Sequence, residues 1–216
     1  MDGYDKLGPY GIYIHGCVDE FSRRLIWLRV YNTNRKPEIV AKYYLKAVLD
    51  LNVAPKCTVS DFGYECQTVA QCQQFFHRQS GTEERRHRWT WSVLNVTIES
   101  FWGKLRRMCA GYWMGVFEGL VANGHFDGTD VDRWCLNAVY LPLVEENLKE
   151  VVEIYNSHRI RPQRNRIRPH GRPELLYELP GNYGGEECGL LVDEAEVTAA
   201  MLGSLGWTWM IRCQTM

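Results

Sequence analysis

Several devices that would signal a membrane, secreted or zinc-bound protein are missing from this sequence. No apolar run approaches the roughly 20 residues that a membrane helix needs, and no charged-then-apolar leader opens the chain. None of the eight cysteines pairs with another as C-x-x-C, so neither a zinc ribbon nor a dithiol redox motif is visible. Reduced thiols inside an intracellular protein are the expectation. There is no internal repeat. The triplet Asn95-Val96-Thr97 matches a glycosylation sequon, but nothing else suggests secretion, and such triplets are common by chance.

What is present suits one good core with appendages, since 216 residues are 45% hydrophobic. The formal net charge of −1 conceals a segregation, and it is local basic stretches that meet phosphate. From Arg78 to Arg107, seven Lys/Arg stand against three acids, a balance of +4. From His158 to Arg172 there are six Arg and no acid, a balance of +6. Glu174 to Glu196 reverses this, with seven acids and no base. An acidic stretch behind a basic one can shield it.

Hydrophobic periodicity orders the elements. Residues 11–18 and 24–31 read as β-strands joined by the polar turn 19–23, a hairpin. Apolar positions Ile39, Val40, Tyr43, Tyr44, Ala47, Val48 and Leu51 follow Pro37 at helical spacing. Residues 57–60 form a short strand ending at Asp61, with Gly63 breaking the pattern after it. An acid in such a strand-end loop occupies a site position. A helix is expected over 67–78, then a basic, aromatic loop over 79–92 with a short strand near 89–93. The next helix covers 95–109, with Ile98, Phe101, Trp102, Leu105 and Met108 as its apolar stripe. At about 100° per residue, Glu99 lies beside Asn95 and Arg106, roughly 120° from the centre of that stripe. A last helix spans 138–156. Beyond it Pro162, Pro169 and Pro173 forbid a long helix and leave an extended basic arm.

Hairpin, helix, strand ending in Asp, then a helix carrying Glu is the element order of the ribonuclease H fold. The segments DGYDKLGPYGIYIHGCVDEFSRR, SDFGYE, NVTIESFWGKLRR, YNSHRIRPQRN and GRPELLYELP resemble, in that order, the signatures of integrase-like core domains related to retroviral and retrotransposon integrases. The resemblance runs from residue 2 to about residue 183. It implies an α/β ribonuclease H-like mixed sheet flanked by helices, with a core over 1–157, a basic arm over 158–183 and an acidic-then-apolar tail over 184–216. The strand leading to the first acid is central in the family; here one residue precedes Asp2, so that strand is expected to be truncated.

Carried over by position, the resemblance makes Asp2, Asp61 and Glu99 the acidic triad, catalytic and metal-binding, with 37 residues between the last two. Mg²⁺, or Mn²⁺, is the implied cofactor: hard ions prefer carboxylate oxygen, and two of them roughly 3.5–4 Å apart clamp a phosphodiester. Asn95, Lys104, Arg106, Arg107, Arg159, Arg161, Arg164 and Arg166 are the expected nucleic-acid contacts. Asp19 is the hairpin-turn acid that the family keeps for structure, and His15 reads as a core histidine. DNA is the expected partner and a nuclear location follows, with self-association a further expectation; neither a membrane nor an amino-terminal zinc module is expected. Cys66 stands where relatives carry Asn, and WSVLNVT before Glu99 is more apolar than the family's segment. Two functions are therefore in view: a Mg²⁺-dependent polynucleotidyl transferase, or a domesticated core that binds DNA or protein without catalysis.

Overall fold

The computed structural model describes residues 1–78, 86–91, 95–162 and 168–205. It divides into two units, Met1–Asn34 with Asn95–Glu187, and Arg35–Leu94 with Cys188–Met216. It is a mixed helix-and-strand protein with small sheets, as an α/β integrase core implies.

In the first unit, β1 (Asp2–Tyr4), β2 (Tyr13–Val18) and β3 (Leu25–Tyr31) form an antiparallel sheet in the order β1-β2-β3. The β2–β3 hairpin appears where alternating side chains predicted it, closed by the expected polar turn. Asp19 is a turn residue: its Oδ2 accepts hydrogen bonds from the backbone N–H of Ser22 at 2.7 Å and the Ser22 hydroxyl at 2.6 Å. This side chain replaces backbone partners that the turn lacks.

One helix packs across that sheet. α3 (Val96–Leu105) runs through a π-helical turn, Arg106–Ala110, into α4 (Gly111–Ala122). Ile98, Phe101, Trp102 and Leu105 are buried in the core. The approach is close at Gly16 in β2, where any Cβ would lie 2.8 Å from the Trp102 ring. Only glycine leaves room for the indole there.

α5 (Asp130–Ser157) covers the sheet from β3, and its amino terminus is capped by Thr129, whose hydroxyl accepts from the Asp132 N–H at 3.1 Å. The helix begins eight residues before its predicted start at 138, because its first two turns are largely exposed and lack an apolar stripe. α4 was not foreseen either; with exposed Tyr112 and Val121 beside buried Trp113 and Phe117, its sequence shows no clear periodicity. Near the far end of α5, buried Asn156 grips β3 with both halves of its amide, Oδ1 accepting from Leu25 N–H at 2.9 Å and Nδ2 donating to Leu25 C=O at 3.1 Å. Glu145, three turns earlier on the same face of the helix, binds Arg29 at 2.8 Å and the Val30 N–H at 3.2 Å.

The second unit holds α1 (Pro37–Leu51), β4 (Val53–Ala54), β5 (Thr58–Ser60), α2 (Gln67–Phe76), β6 (His87–Trp89), β7 (Leu190–Leu191) and α7 (Glu194–Leu205). β5 pairs in parallel with β6, and β4 antiparallel with β7. The strand near 89–93 therefore exists slightly earlier, at 87–89. β7 and α7 draw the acidic segment after Glu187 into this unit. The remainder of the 79–85 loop, residues 92–94 and the apolar end beyond 205 lie outside the described residues.

Each unit buries one histidine. His15 is 1% exposed and its Nδ1 accepts the Trp27 indole N–H at 3.0 Å, so it is a core histidine as expected. Burial lowers its pKa from 6.5 to about 3. His87 sits between two hydroxyls, with Thr58 Oγ1 2.8 Å from Nδ1 and Ser60 Oγ 3.2 Å from Nε2. Ser60 spends its hydroxyl proton on the Asp61 carbonyl at 2.8 Å, so Nε2–H must donate to Ser60 and Thr58 must donate to Nδ1. Burial brings His87 down to about 4.

Two predictions arise from this core. Replacing Asn156 with Ala strands both polar groups of Leu25 and should cost roughly 2–4 kcal/mol, read as a shifted urea midpoint. The histidines give a pH effect of fixed sign: both are neutral in the folded chain and protonate more readily when unfolded, so stability is complete above about pH 6.5 and falls as pH drops toward about 4. The slope should approach roughly 1.4 kcal/mol per pH unit for each histidine. Urea midpoints that stay flat between pH 6.5 and 4.5 would contradict it.

Candidate functional site

The first acid of the predicted triad is held by α3. Asp2 lies on β1, half-buried, opposite Gly16 of β2. Its Oδ2 accepts the Trp102 indole N–H at 2.8 Å. One residue earlier, the Asn95 side-chain amide donates to the Met1 carbonyl at 3.0 Å. Two α3-side groups thus fasten successive residues of the β1 end.

Glu99 lies on the same flank of that helix. At about 100° per residue, Asn95 and Trp102 fall roughly 40° and 60° to one side of it. The two residues that grip Met1 and Asp2 therefore share an edge of α3 with Glu99. Its carboxylate is exposed and makes no hydrogen bond or ion pair among the described residues. Both acids belong to the first unit.

Asp61 belongs to the second unit. It follows directly on β5, at the strand end where the sequence predicted it, and its Oδ1 accepts the Gly63 N–H at 3.1 Å, closing a local turn. Ser60 behind it is fully buried and tied to His87. Cys66 is buried too, and burial pushes its thiol up to about 12, so it stays protonated at neutral pH and offers no thiolate. Around Asp61 the structure adds aromatic surface that pattern reading had not singled out. Phe62 is 62% exposed and Trp91 70% exposed, and their rings meet edge to face at 5.3 Å. Composition flagged a basic, aromatic loop here; the pairing of rings 29 positions apart in sequence needed the fold.

The basic residues serve two purposes. Arg106 and Arg107 are exposed on the π-helical turn after α3. Lys104 instead lies half-buried, its ammonium 3.4 Å from the Tyr155 hydroxyl and 4.9 Å from the centre of that ring. Asn95 is buried on Met1, and Thr97 is buried as well, so the sequon is not presented on the surface. In the arm, Arg159 and Arg161 are exposed, while Arg164 and Arg166 lie outside the described residues. Arg168 is a structural contact: one nitrogen binds Thr97 Oγ1 at 2.8 Å and the other pairs with Glu20. Arg23 reaches the Pro169 carbonyl. The far end of the arm is thereby fixed to the hairpin and to α3.

Among the described residues, no group of three or more His, Cys, Asp and Glu side chains stands together as a metal cage within either unit. The donor chemistry of Asp2 and Glu99 nonetheless suits a hard ion, since both offer carboxylate oxygen. No helix among the described residues is long and apolar enough to cross a membrane. All seven described cysteines are free thiols.

A comparison with curated proteins gave no match, and one with solved structures gave none. A family model described as integrase core domain matches residues 1–171. That span takes in β1, the hairpin, β5 with Asp61, α3 with Glu99 and the whole of α5, and so the chain belongs to the integrase core domain family.

Proposed function

We propose that this chain is a nucleic-acid-binding integrase core, descended from a Mg²⁺-dependent polynucleotidyl transferase, that meets DNA through the basic surface of its first unit. The observation that carries this reading is the exposure, within one unit, of Arg106 and Arg107 on the turn after α3 and of Arg159 and Arg161 after α5. Exposed cations without an ion-pair partner among the described residues are free to meet a polyanion. DNA phosphate is the anion that family membership points to. A nuclear location and self-association on DNA accompany the proposal.

For catalysis, the resemblance assigns Asp2, Glu99 and Asp61 to one or two Mg²⁺ or Mn²⁺ ions, which when bound would activate a hydroxyl and stabilise the leaving oxygen of a phosphodiester. The chain's own residues do the positioning. Trp102 orients the Asp2 carboxylate, α3 carries Glu99 on the flank it shares with Trp102, and the Asx turn at Asp61 fixes that side chain against Gly63. Arg106 and Arg107 bind the strand.

A second reading, a domesticated core that binds without cutting, is favoured by the Trp102 bond. The indole N–H occupies a lone pair of the carboxylate and withdraws charge from it.

Two experiments test these readings. DNA affinity should fall steeply with salt, and neutralising Arg159, Arg161 and Arg164 together should reduce the slope of log affinity against log salt by up to about one per lost phosphate contact. Binding indifferent to salt would remove DNA as the partner. With Mg²⁺ and supercoiled plasmid, the binding-only reading expects no nicking above an Asp61→Asn/Glu99→Gln control. Nicking that Asp61→Asn abolishes would establish the catalytic reading instead.

A further inference from the structure

The chain leaves α5 and returns toward α6 (Pro173–Glu178) through a single antiparallel bridge, Ile160 with Gly171, made by hydrogen bonds of 2.8 and 3.1 Å. Arg159 and Arg172 flank that bridge on opposite strands, one before Ile160 and one after Gly171, which is where an antiparallel register places facing residues. Like charges across such a pair repel. Both guanidinium groups are exposed, and neither has an ion-pair partner among the described residues. The same bridge closes one wall of a cavity of about 490 Å³, lined by Arg159, His170, Arg172, Leu175 and Tyr183. Such a volume falls within the roughly 300–1,000 Å³ usual for small-ligand sites.

The cavity has two chemically distinct parts. Arg159, Arg172 and His170 make one side cationic or hydrogen-bonding, with guanidinium forks suited to bidentate contact with phosphate. Leu175 and Tyr183, each 38% exposed, make the other side apolar and aromatic. Tyr183 ends a short 3-10 turn, Pro180–Tyr183, and its ring comes within 3.9 Å of the open face of Gly171, whose φ is +144°. A side chain at 171 would be strained in that conformation. The frame is fastened by Arg23 on the carbonyl of the lining residue Pro169, Arg168 on Thr97, and Arg24 stacked 4.6 Å over Tyr177 of α6.

We propose that this cavity binds a single nucleotide unit of a nucleic-acid strand, with its phosphate between Arg159 and Arg172 and its base against Tyr183 and Leu175. The proposal rests on the nucleic-acid reading above and names the chemical unit recognised. A bare anion would use the arginines and leave the aromatic wall idle. A free nucleotide and a nucleotide within a strand share the same chemistry, and the experiment separates them.

The test uses the full chain, with a fluorescein-labelled oligo-dT 12-mer followed by anisotropy, and with dAMP and inorganic phosphate as competitors. The 12-mer should bind, and dAMP should displace it at concentrations at least about tenfold below those needed for phosphate. Arg159→Gln/Arg172→Gln should weaken both the 12-mer and dAMP by about tenfold or more, and Tyr183→Leu should weaken them by a similar factor while leaving phosphate competition unchanged. Unchanged thermal melting of the variants, and retention of binding by Tyr183→Phe, exclude misfolding as the cause. If these variants bind like the wild type while Arg106→Gln/Arg107→Gln abolishes binding, the cavity assignment is overturned and the DNA-binding reading stands. If dAMP binds in an Arg172-dependent way but no oligonucleotide does, the cavity stands as a free-nucleotide site and the DNA-binding reading falls. Phosphate competing as well as dAMP would overturn the nucleotide assignment.

Discussion

The seating of α3 on the β1–β2 edge is the contact on which the rest of the first unit depends. A tryptophan ring enters a gap that only glycine can leave, and the indole N–H then reaches the carboxylate of Asp2 on the neighbouring strand. One side chain thereby joins core packing to the orientation of an acid. Asn95 repeats the device about two turns earlier, on Met1. Because both anchors share a flank with Glu99, the helix cannot rotate to move Glu99 away from β1 without exposing the indole and breaking two hydrogen bonds. Interiors packed to crystal-like density resist such rotation.

Charge is divided by use in this unit. Arg23, Arg24 and Arg168 are consumed internally, on a carbonyl, a ring and a Thr–Glu pair. Glu145 similarly uses Arg29 and a backbone N–H to clamp α5 on β3. What remains exposed, Arg106, Arg107, Arg159, Arg161 and Arg172, has no such partner among the described residues. A net balance summed over a segment cannot distinguish these two groups, because an arginine spent on a carbonyl and one waiting for phosphate count alike. The acids after Glu187 lie in the second unit, where Arg78 pairs with Glu196 at 3.3 Å.

A buried polar network in each unit has its orientation set by its partners. Ser60 gives its proton to the Asp61 carbonyl, which obliges His87 to donate to it and Thr58 to donate to His87. Asn156 satisfies Leu25 in both directions. The YN pair of the carboxyl-terminal signature is thus a strand clamp, with Tyr155 packed on Phe101 at 4.9 Å between ring centres. Motif residues with no evident chemistry are here doing the work of holding helix to sheet.

Much of this could be read from residue order. Period-two alternation fixed the hairpin, because one face of each strand is buried and a slip of one residue would invert it. The 3-4 spacing located α1 and α3, and the strand ending at Asp61 followed from a short apolar run stopped by glycine. Family membership was legible for the same reason, since order and spacing survive in the primary structure. The first turns of α5 and the whole of α4 were not legible: their exposed apolar and polar residues show no single face, and only tertiary contacts, such as Arg133 on the Pro9 carbonyl and the packing around Phe117, select the helix. Nor could spacing tell that Asn95, Lys104 and Arg168 are drawn into internal contacts while Arg172 and Tyr183 share a cavity. Those assignments depend on which groups lie within about 3 Å of each other across tens of residues of chain, a distance that one-dimensional pattern does not contain.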